Sequence, residues 1–444
     1  MVNQGTAGSF KRVLSLWDLV LFGLAFVGPT APYSMFGIAS VQSRGHLPLV
    51  YGIAMVAMSL TAVSYGRMSR AFPEAGSTYS YASRALSAQI GFFAGWGMIL
   101  DYVLIPLLSI IFVALTAGKL APGVPYWVWA VLMACGITVV NLRGIRVTAR
   151  ANTALNALMV GSLVWFVTMA VAALARGVGE GTLFSSRPFY NPAEFEPRAI
   201  LGAASLAALS FLGFDGISTL AEDARDPGRD ILRATVIVCF VAGALFVLQS
   251  YLGQLVWPEF RTFSPVETAF VDIAGRVGGT TLYWGVSFIL LVGGLASAIT
   301  GQASASRLLV GMARDGLLPR RLFAYVHPRL GTPVYSVILM GTVHLAGALF
   351  LRYGEAAELV NFGALCGFML VNLAVVRHFA FRGGARRWVQ DLLLPGAGFA
   401  VCGFLWVNLS RFAIQLGFVW LGVGFAYLLV LTHGFRRPLA TLKL

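Results

Sequence analysis

The chain has 444 residues, of which 58% are hydrophobic and 11% charged, against roughly 25% charged in an average soluble domain. A formal net charge of +14 would suit a nucleic-acid binder if the chain were soluble, but a mean hydropathy of +0.79 excludes the soluble classes. The lipid bilayer, not nucleic acid, is the expected surrounding partner of this integral membrane protein.

Apolar stretches of about 20 residues recur along nearly the whole length, each able to cross a hydrocarbon core about 30 Å thick. Their centres fall near residues 28, 60, 103, 133, 164, 211, 245, 295, 342, 367, 401 and 422. The predicted fold class is therefore an all-α membrane protein with about twelve transmembrane helices. Lys11 and Arg12 precede the first apolar run. That run is long and holds two prolines with no small-residue cleavage site after a short core, so it is expected to be a retained span rather than a signal peptide. Ser15-x-x-Asp18 has the pattern of a capping box opening the first helix.

The first span is interrupted at Val27-Gly28-Pro29-Thr30-Ala31-Pro32. Prolines 29 and 32 lack an N–H, and each disfavours helix in the residue before it. A continuous ladder through Gly28, Pro29, Thr30 and Ala31 is therefore not expected, and a second half-helix should open near Pro32, with Thr30 or Ala31 at its cap. Unwound backbone at mid-depth is tolerated only where protein or a polar cavity satisfies it.

In the third span, Asp101 is a buried acid flanked by Trp96 and Tyr102, whose rings could face an ammonium group; a helix-packing role is the alternative. Gly91-x-x-x-Gly95 reads as a close helix–helix contact. The connection from Arg176 to Arg198 carries Pro188, Pro192 and Pro197 and is expected to be an ordered loop.

The sixth span is interrupted at Ser210-Phe211-Leu212-Gly213-Phe214-Asp215-Gly216. Gly213 and Gly216 bracket Asp215, and a charged residue at mid-membrane costs roughly 2.5–3.5 kcal/mol on insertion scales, so such residues usually face a cavity and serve a function. A permanently paired or protonated carboxylate is the alternative. The run Glu222-Asp223-Ala-Arg225-Asp226-Pro-Gly-Arg229-Asp230 that follows is read as a solvated turn with local ion pairs worth roughly 0–1 kcal/mol each, an inner gate being the other reading. Residues 258–279 have room for a short amphipathic helix over an outer vestibule.

Ser297 and Thr300 in span eight are candidate linings for a coupling ion, and Asn361 in span ten for substrate, although serine and threonine often bond back to their own helix. Cys135, Cys239, Cys366 and Cys402 are far apart within spans and read as core residues. The five histidines show no metal-ligand spacing, so neither a metal nor an organic cofactor is expected.

A break in span one repeated in span six suggests a five-plus-five inverted repeat. The chain then reads as one transmembrane domain, residues 1–444, with repeats over about 15–175 and 198–380 and two extra helices over about 390–434.

The Gly-Pro break, Phe211-Leu-Gly-Phe-Asp-Gly-Ile-Ser-Thr-Leu-Ala-Glu-Asp223 and Ala305-Ser-Arg-Leu-Leu-Val-Gly-Met-Ala-Arg-Asp-Gly-Leu-Leu-Pro319, followed by Gly331-Thr-Pro333, together resemble the amino acid–polyamine–organocation permeases over residues 15 to 380. Gly45-His-Leu-Pro48, Ser64-Tyr-Gly-Arg67, Phe72-Pro-Glu-Ala-Gly-Ser-Thr-Tyr79, Gly95-Trp-Gly-Met-Ile-Leu-Asp-Tyr102 and Ala149-Arg-Ala-Asn152 resemble the bacterial putrescine-importer branch. The resemblance implies alternating access and puts Asp215 where relatives carry an acidic substrate or coupling residue. Some proton-coupled relatives hold a lysine in span five where Met159 stands here, so a lysine-based proton switch is not implied.

Relatives that carry amino acids clamp the α-carboxylate with free N–H groups at the first break, and two prolines here leave fewer donors. The expected substrate is a small organic cation such as putrescine, held by Gly28, Pro29, Thr30, Ala31, Trp96, Asp101, Tyr102, Phe211, Gly213, Phe214, Asp215 and Asn361. An amino acid permease is the alternative, and a channel or sensor the alternative of another class. No hydrolase, zinc-protease or phosphate-loop motif is present, so an enzyme is not expected. The coupling ion, proton or sodium, and the oligomeric state stay open.

With the N-terminus in the cytoplasm, about 23 of the 32 Lys and Arg residues fall on that side, which by the positive-inside rule orients both termini inward. A fluorescent protein fused after Leu444 should therefore fluoresce in intact bacterial cells, and a periplasm-dependent phosphatase at the same point should stay inactive; the opposite pattern would invert the topology.

Overall fold

In the computed structural model, residues 12–434 are described, apart from 75, 122, 264, 265, 267, 268, 352, 382–386 and 410. The basic residues Lys11, Arg382, Arg386, Arg436, Arg437 and Lys443, which enter the charge count, lie outside the described residues. The described chain is helical, with one isolated parallel β-bridge between Leu14 and Ala224.

Among the described residues nine helices are long and apolar enough to cross a membrane, and a bent pair makes a tenth crossing. Two shorter apolar helices, α6 (Tyr126–Leu142) and α12 (Val334–Phe350), complete the twelve expected segments. The chain is a multi-pass membrane protein with interrupted segments at positions one and six.

Position one is the bent pair α1 (Leu16–Val27) and α2 (Pro32–Gln42), inclined by 53°. The expected capping box is present at its start: the Ser15 hydroxyl accepts from the Asp18 amide at 3.3 Å while the Ser15 amide donates to Asp18 Oδ2 at 2.8 Å. Helix α1 ends at Gly28, whose φ of 80° is a conformation that L side chains rarely adopt. Helix α2 restarts with Pro32 in its first turn and Ala31 at its cap, where the missing N–H costs little.

Position six is α8 (Pro197–Ala208), a short 3₁₀ turn at Leu209–Phe211, and a 3₁₀ stretch at Phe214–Leu220. Gly213, with φ 110°, turns the chain between the last two. The remaining crossings are α3 (Leu47–Ala71), α5 (Ala88–Leu120), α7 (Ile145–Ala175), α9 (Pro227–Val256), α10 (Ala269–Arg314), α13 (Tyr353–Val375), α14 (Leu394–Val407) and α15 (Arg411–Leu431), and α11 (Arg320–Phe323) is a single turn between α10 and α12.

Helix α10 is not straight: Gly279 has φ 63° and ψ −162°. The residues from Ala269 to Gly278 thus form a separate short helix before the crossing, in the stretch where sequence allowed one. The contact expected at Gly91 and Gly95 is with α4 (Ser77–Ala85): a Cβ at Gly91 would lie 2.6 Å from Ser83 Cα, and one at Gly95 3.0 Å from Tyr79 Cβ.

The end of the bundle nearest the N-terminus, called here the near end, is closed. The reading of residues 222–230 as a solvated turn holds for Arg225, Asp226 and Arg229, which are exposed, but is corrected at Asp223, which is fully buried and whose Oδ2 accepts from Arg307 Nε of α10 at 2.8 Å, with Arg307 3% exposed. The Asp223 carbonyl accepts from the Val13 and Leu14 amides at 2.8 and 3.0 Å, and the Arg225 amide donates to the Leu14 carbonyl at 2.9 Å. The Arg314–Glu222 pair at 2.6 Å and the Tyr79 hydroxyl donating to Asp315 at 2.6 Å add further ties. Sequence proximity suggested local pairs, but the acids find partners on α10 because α10 and the residue 220s descend side by side.

Burial pushes the Asp223 carboxyl up in pKa against the opposing pull of Arg307, so desolvation outweighs attraction at this pair. Breaking one partner should therefore be costly while replacing both is not. Arg307→Met alone is expected to lower stability by about 3–5 kcal/mol, and the Asp223→Leu, Arg307→Met double variant to recover most of that loss. Thermal unfolding in detergent reads both; a double variant as unstable as the single would refute the assignment.

Candidate functional site

The two breaks meet at mid-depth and line one cavity of about 270 Å³, large enough for one small molecule. Its wall from the first break is Phe26, Val27, Gly28, Thr30 and Ala31, and from the second Leu209, Ser210 and Leu212. Helices α5 and α10 add Ile105, Leu108, Ser109, Leu290 and Ser297, and α13 adds Val360 and Asn361. The cavity lies on the side of the breaks remote from the closed end, since it also takes in Ser34 and Met35 of α2.

Of the residues chosen from sequence, Gly28, Thr30, Ala31, Ser297 and Asn361 line this cavity. Asn361 is 6% exposed and its Oδ1 has no hydrogen-bond partner among the described residues. Pro29 contributes a carbonyl, which accepts from Gln249 Nε2 at 2.9 Å. Gln249 of α9 thus braces the unwound strand, a role that nothing in its sequence context signals. Thr300 is turned back on its own helix, donating to the Ala296 and Ser297 carbonyls at 2.8 and 3.0 Å.

Asp215, Tyr102 and Asp101 form a second group, fully buried and outside the cavity wall. The Tyr102 hydroxyl donates to Asp215 Oδ2 at 2.5 Å. The amides of Gly213, Asp215 and Gly216 lie near that carboxylate, but none closes a hydrogen bond on Oδ1. Both Asp101 oxygens lack a hydrogen-bond partner among the described residues, and the two acids are neighbours in the fold. No ion pair among the described residues involves either acid. Pro106 in α5 cannot donate to the carbonyl four residues earlier, so the Tyr102 carbonyl is left without its helical partner beside these acids.

Phe26 separates the two groups. Its ring faces the cavity on one side and lies 6.2 Å from the Tyr102 ring on the other. The space it occupies exists because three positions lack a Cβ: one at Gly213 would stand 2.7 Å from Phe26 Cγ, one at Gly216 2.6 Å from Cε1, and one at Gly301 3.1 Å from Cε2. The glycines beside Asp215 stand out in sequence because they bracket the acid, whereas their contact with Phe26 is a tertiary matter. An aromatic two residues before the Gly-Pro break was the available signal.

Three chosen aromatics do not come to the site. Trp96 stacks on Trp420 of α15 at 4.8 Å and donates its Nε1 to the Trp420 carbonyl at 2.9 Å. It stands five residues from Asp101, about 140° around the helix, and so faces away from it. Phe211 packs on Phe246 at 5.1 Å, and Phe214 lies between Tyr65 at 5.8 Å and Phe368 at 5.2 Å. Met159, fully buried, sits beside the first break, with its Sδ and Thr30 Oγ1 3.6 and 3.5 Å from where a Cβ on Gly293 would be.

The amino acid permease family profile matches residues 20–434. The chain is 35% identical over 432 residues to a low-affinity putrescine importer of Escherichia coli K12, covering 96% of this chain and 95% of that protein. It is 27% identical over 453 residues to a branched-chain amino acid permease of Bacillus subtilis, covering 94% and 92%. It is 28% identical over 400 residues to a vacuolar cationic amino acid transporter of Arabidopsis thaliana, covering 84% and 64%.

At Gly213 an added methyl group would meet Phe26 in a left-handed backbone that costs an L-residue about 1–2 kcal/mol. Gly213→Ala is therefore expected to lower the melting temperature in detergent, whereas Gly161→Ala, at an open helical position, should not. Equal stability of the two variants would dismiss the packing of Phe26 as a constraint.

Proposed function

The chain belongs to the amino acid permease family, and we propose that it imports a short diamine of the putrescine class across the bacterial inner membrane by alternating access, with both termini in the cytoplasm. The observation that carries this reading is the pair of buried acids, Asp101 and Asp215, without a basic partner among the described residues. Burying a carboxylate is costly unless it is paired, and two such groups side by side repel each other as well. A diamine carries two ammonium groups on an aliphatic linker and neutralises both acids at once.

In this reading the cavity receives the amine from outside, and the ring of Phe26 must move for an ammonium to reach Asp215. The Tyr102 hydroxyl orients Asp215, and the Tyr102 carbonyl freed by Pro106 offers a further acceptor. While the amine is still in the cavity, its aliphatic linker meets Val27, Ala31, Ile105 and Leu108. The E. coli relative named as a putrescine importer supports this reading, as does the shortage of N–H donors at a first break holding two prolines. Opening to the cytoplasm requires the Asp223–Arg307 and Glu222–Arg314 ties to part.

The apolar wall favours a second substrate class, a neutral amino acid with a branched aliphatic side chain, as the B. subtilis relative's name would have it. Uptake into proteoliposomes under imposed proton and sodium gradients, with putrescine, cadaverine, arginine, alanine and leucine as competitors, separates the two readings and identifies the coupling ion. Putrescine uptake should be inhibited best by cadaverine and show counterflow from preloaded vesicles, as a carrier requires and a pore does not. Asp215→Asn is expected to abolish diamine uptake with an unchanged melting temperature. Full transport in that variant, or stronger inhibition by leucine than by cadaverine, would reject the diamine reading.

A further inference from the structure

The surface of the bundle carries a second concavity of about 590 Å³, remote from the central cavity and lined only by Gly, Ala, Val, Leu, Ile and Phe. Its floor is α3, and its banks are α8, through Leu201, Ala204 and Ala208, and α14, through Val401 and Phe404. The floor is low at Gly52, where an added Cβ would meet nothing within 4 Å. The groove is open to the outside, with Val56 of α3 60% and Phe404 of α14 45% exposed. With no polar lining, water there would be unpaired, and an empty groove forfeits dispersion contacts along its whole length.

The depth of the groove indicates what fills it. Helix α8 runs 12 residues from Pro197 to the break, about 18 Å at 1.5 Å per residue, and half a hydrocarbon core is about 15 Å. The groove therefore lies within the acyl-chain region, and the first turn of α8 lies at the depth of lipid phosphates. Arg198 stands in that turn, three residues before Leu201 on the same helix face, exposed and in no ion pair among the described residues. The nearest acid in sequence, Glu196, is occupied by Arg44 at 2.6 Å, so the guanidinium is not already neutralised by it.

We infer that this groove between α3, α8 and α14 is a binding site for an anionic phospholipid of the leaflet remote from the near end, with one acyl chain lying over Gly52 and the phosphate held by Arg198. An arginine snorkelling to the headgroup level above an apolar trough matches the two parts of such a lipid, and a guanidinium holds a phosphate bidentately.

The test is native mass spectrometry of the full chain in detergent, titrated with phosphatidylglycerol and with phosphatidylethanolamine of the same acyl chains. The wild-type chain should retain one lipid and prefer phosphatidylglycerol. Gly52→Leu, which fills the trough, should reduce retention of both lipids about tenfold, in keeping with the methylene groups displaced. Arg198→Gln should keep the bound chain but lose about fivefold in headgroup preference, the ratio given by roughly 1 kcal/mol per arginine near an anionic surface. Val401→Phe narrows the same trough from the other bank and decides the matter if Gly52→Leu fails to fold. Unchanged retention in the filled variants, or unchanged headgroup preference in Arg198→Gln, would overturn the site. A dimer that the filled variants dissolve would instead assign the groove to a second copy of the chain and likewise overturn the lipid.

Discussion

Two broken helices in a membrane need a common object to lean on, and here that object is the ring of Phe26. It belongs to the last turn of α1, yet it is seated in space vacated by Gly213, Gly216 and Gly301 on the partner elements. The contact locks the first break against the second and against α10. It also sets the boundary between an apolar cavity and a buried acidic cluster, so the packing that stabilises the unwound segments partitions their chemistry as well. A bulkier residue at any of the three glycines would push the breaks apart and merge the compartments.

The unwound backbone is satisfied piece by piece rather than by one polar pool. Gln249 binds the Pro29 carbonyl at 2.9 Å, the Ala31 amide donates to the Gly28 carbonyl at 2.9 Å, and the Ser218 hydroxyl donates to the Asp215 carbonyl at 2.6 Å. Each bond replaces a helical one lost at a break, as a low-dielectric surrounding demands. Among the described residues, Asp101, Asp215 Oδ1 and Asn361 Oδ1 near the breaks are left without a hydrogen-bond partner, as are atoms elsewhere in the bundle such as those of Asn152 and His344. What distinguishes the group at the breaks is that two of its members are carboxyl groups, whose burial without a partner is the most costly.

The two ends of the bundle are built differently. The near end is tied by a buried charge pair, Asp223–Arg307, and by main-chain bonds to the segment at Val13 and Leu14. The remote side holds the cavity and combines aromatic stacking, such as Tyr33 on Phe270 at 3.9 Å, with ion pairs that stay exposed, such as Arg261–Glu194 at 2.7 Å. The difference between the ends is thus one of burial: exposed pairs contribute little, whereas the buried pair is costly to break.

Periodicity, hydropathy and proline chemistry by themselves determined the helical class, the number of crossings and the places where the first and sixth are interrupted, because each is a property of a residue and its near neighbours: a proline removes its N–H whatever surrounds it. The capping box at Ser15 and the close approach at Gly91 were legible for the same reason. Which side chains gather around the breaks was decided by tertiary structure alone. Trp96 stands five residues before Asp101 yet turns to α15, Phe211 and Phe214 spend their rings on the core, Gln249 comes to the site without any local mark, and Phe26 is marked only by its place two residues before the Gly-Pro break. Asp223 was read as solvated because its neighbours are charged, and it is buried because an arginine on α10, 84 positions further along, descends beside it. Partners of that kind are fixed by how helices pack across the bundle, information that no window of one chain contains.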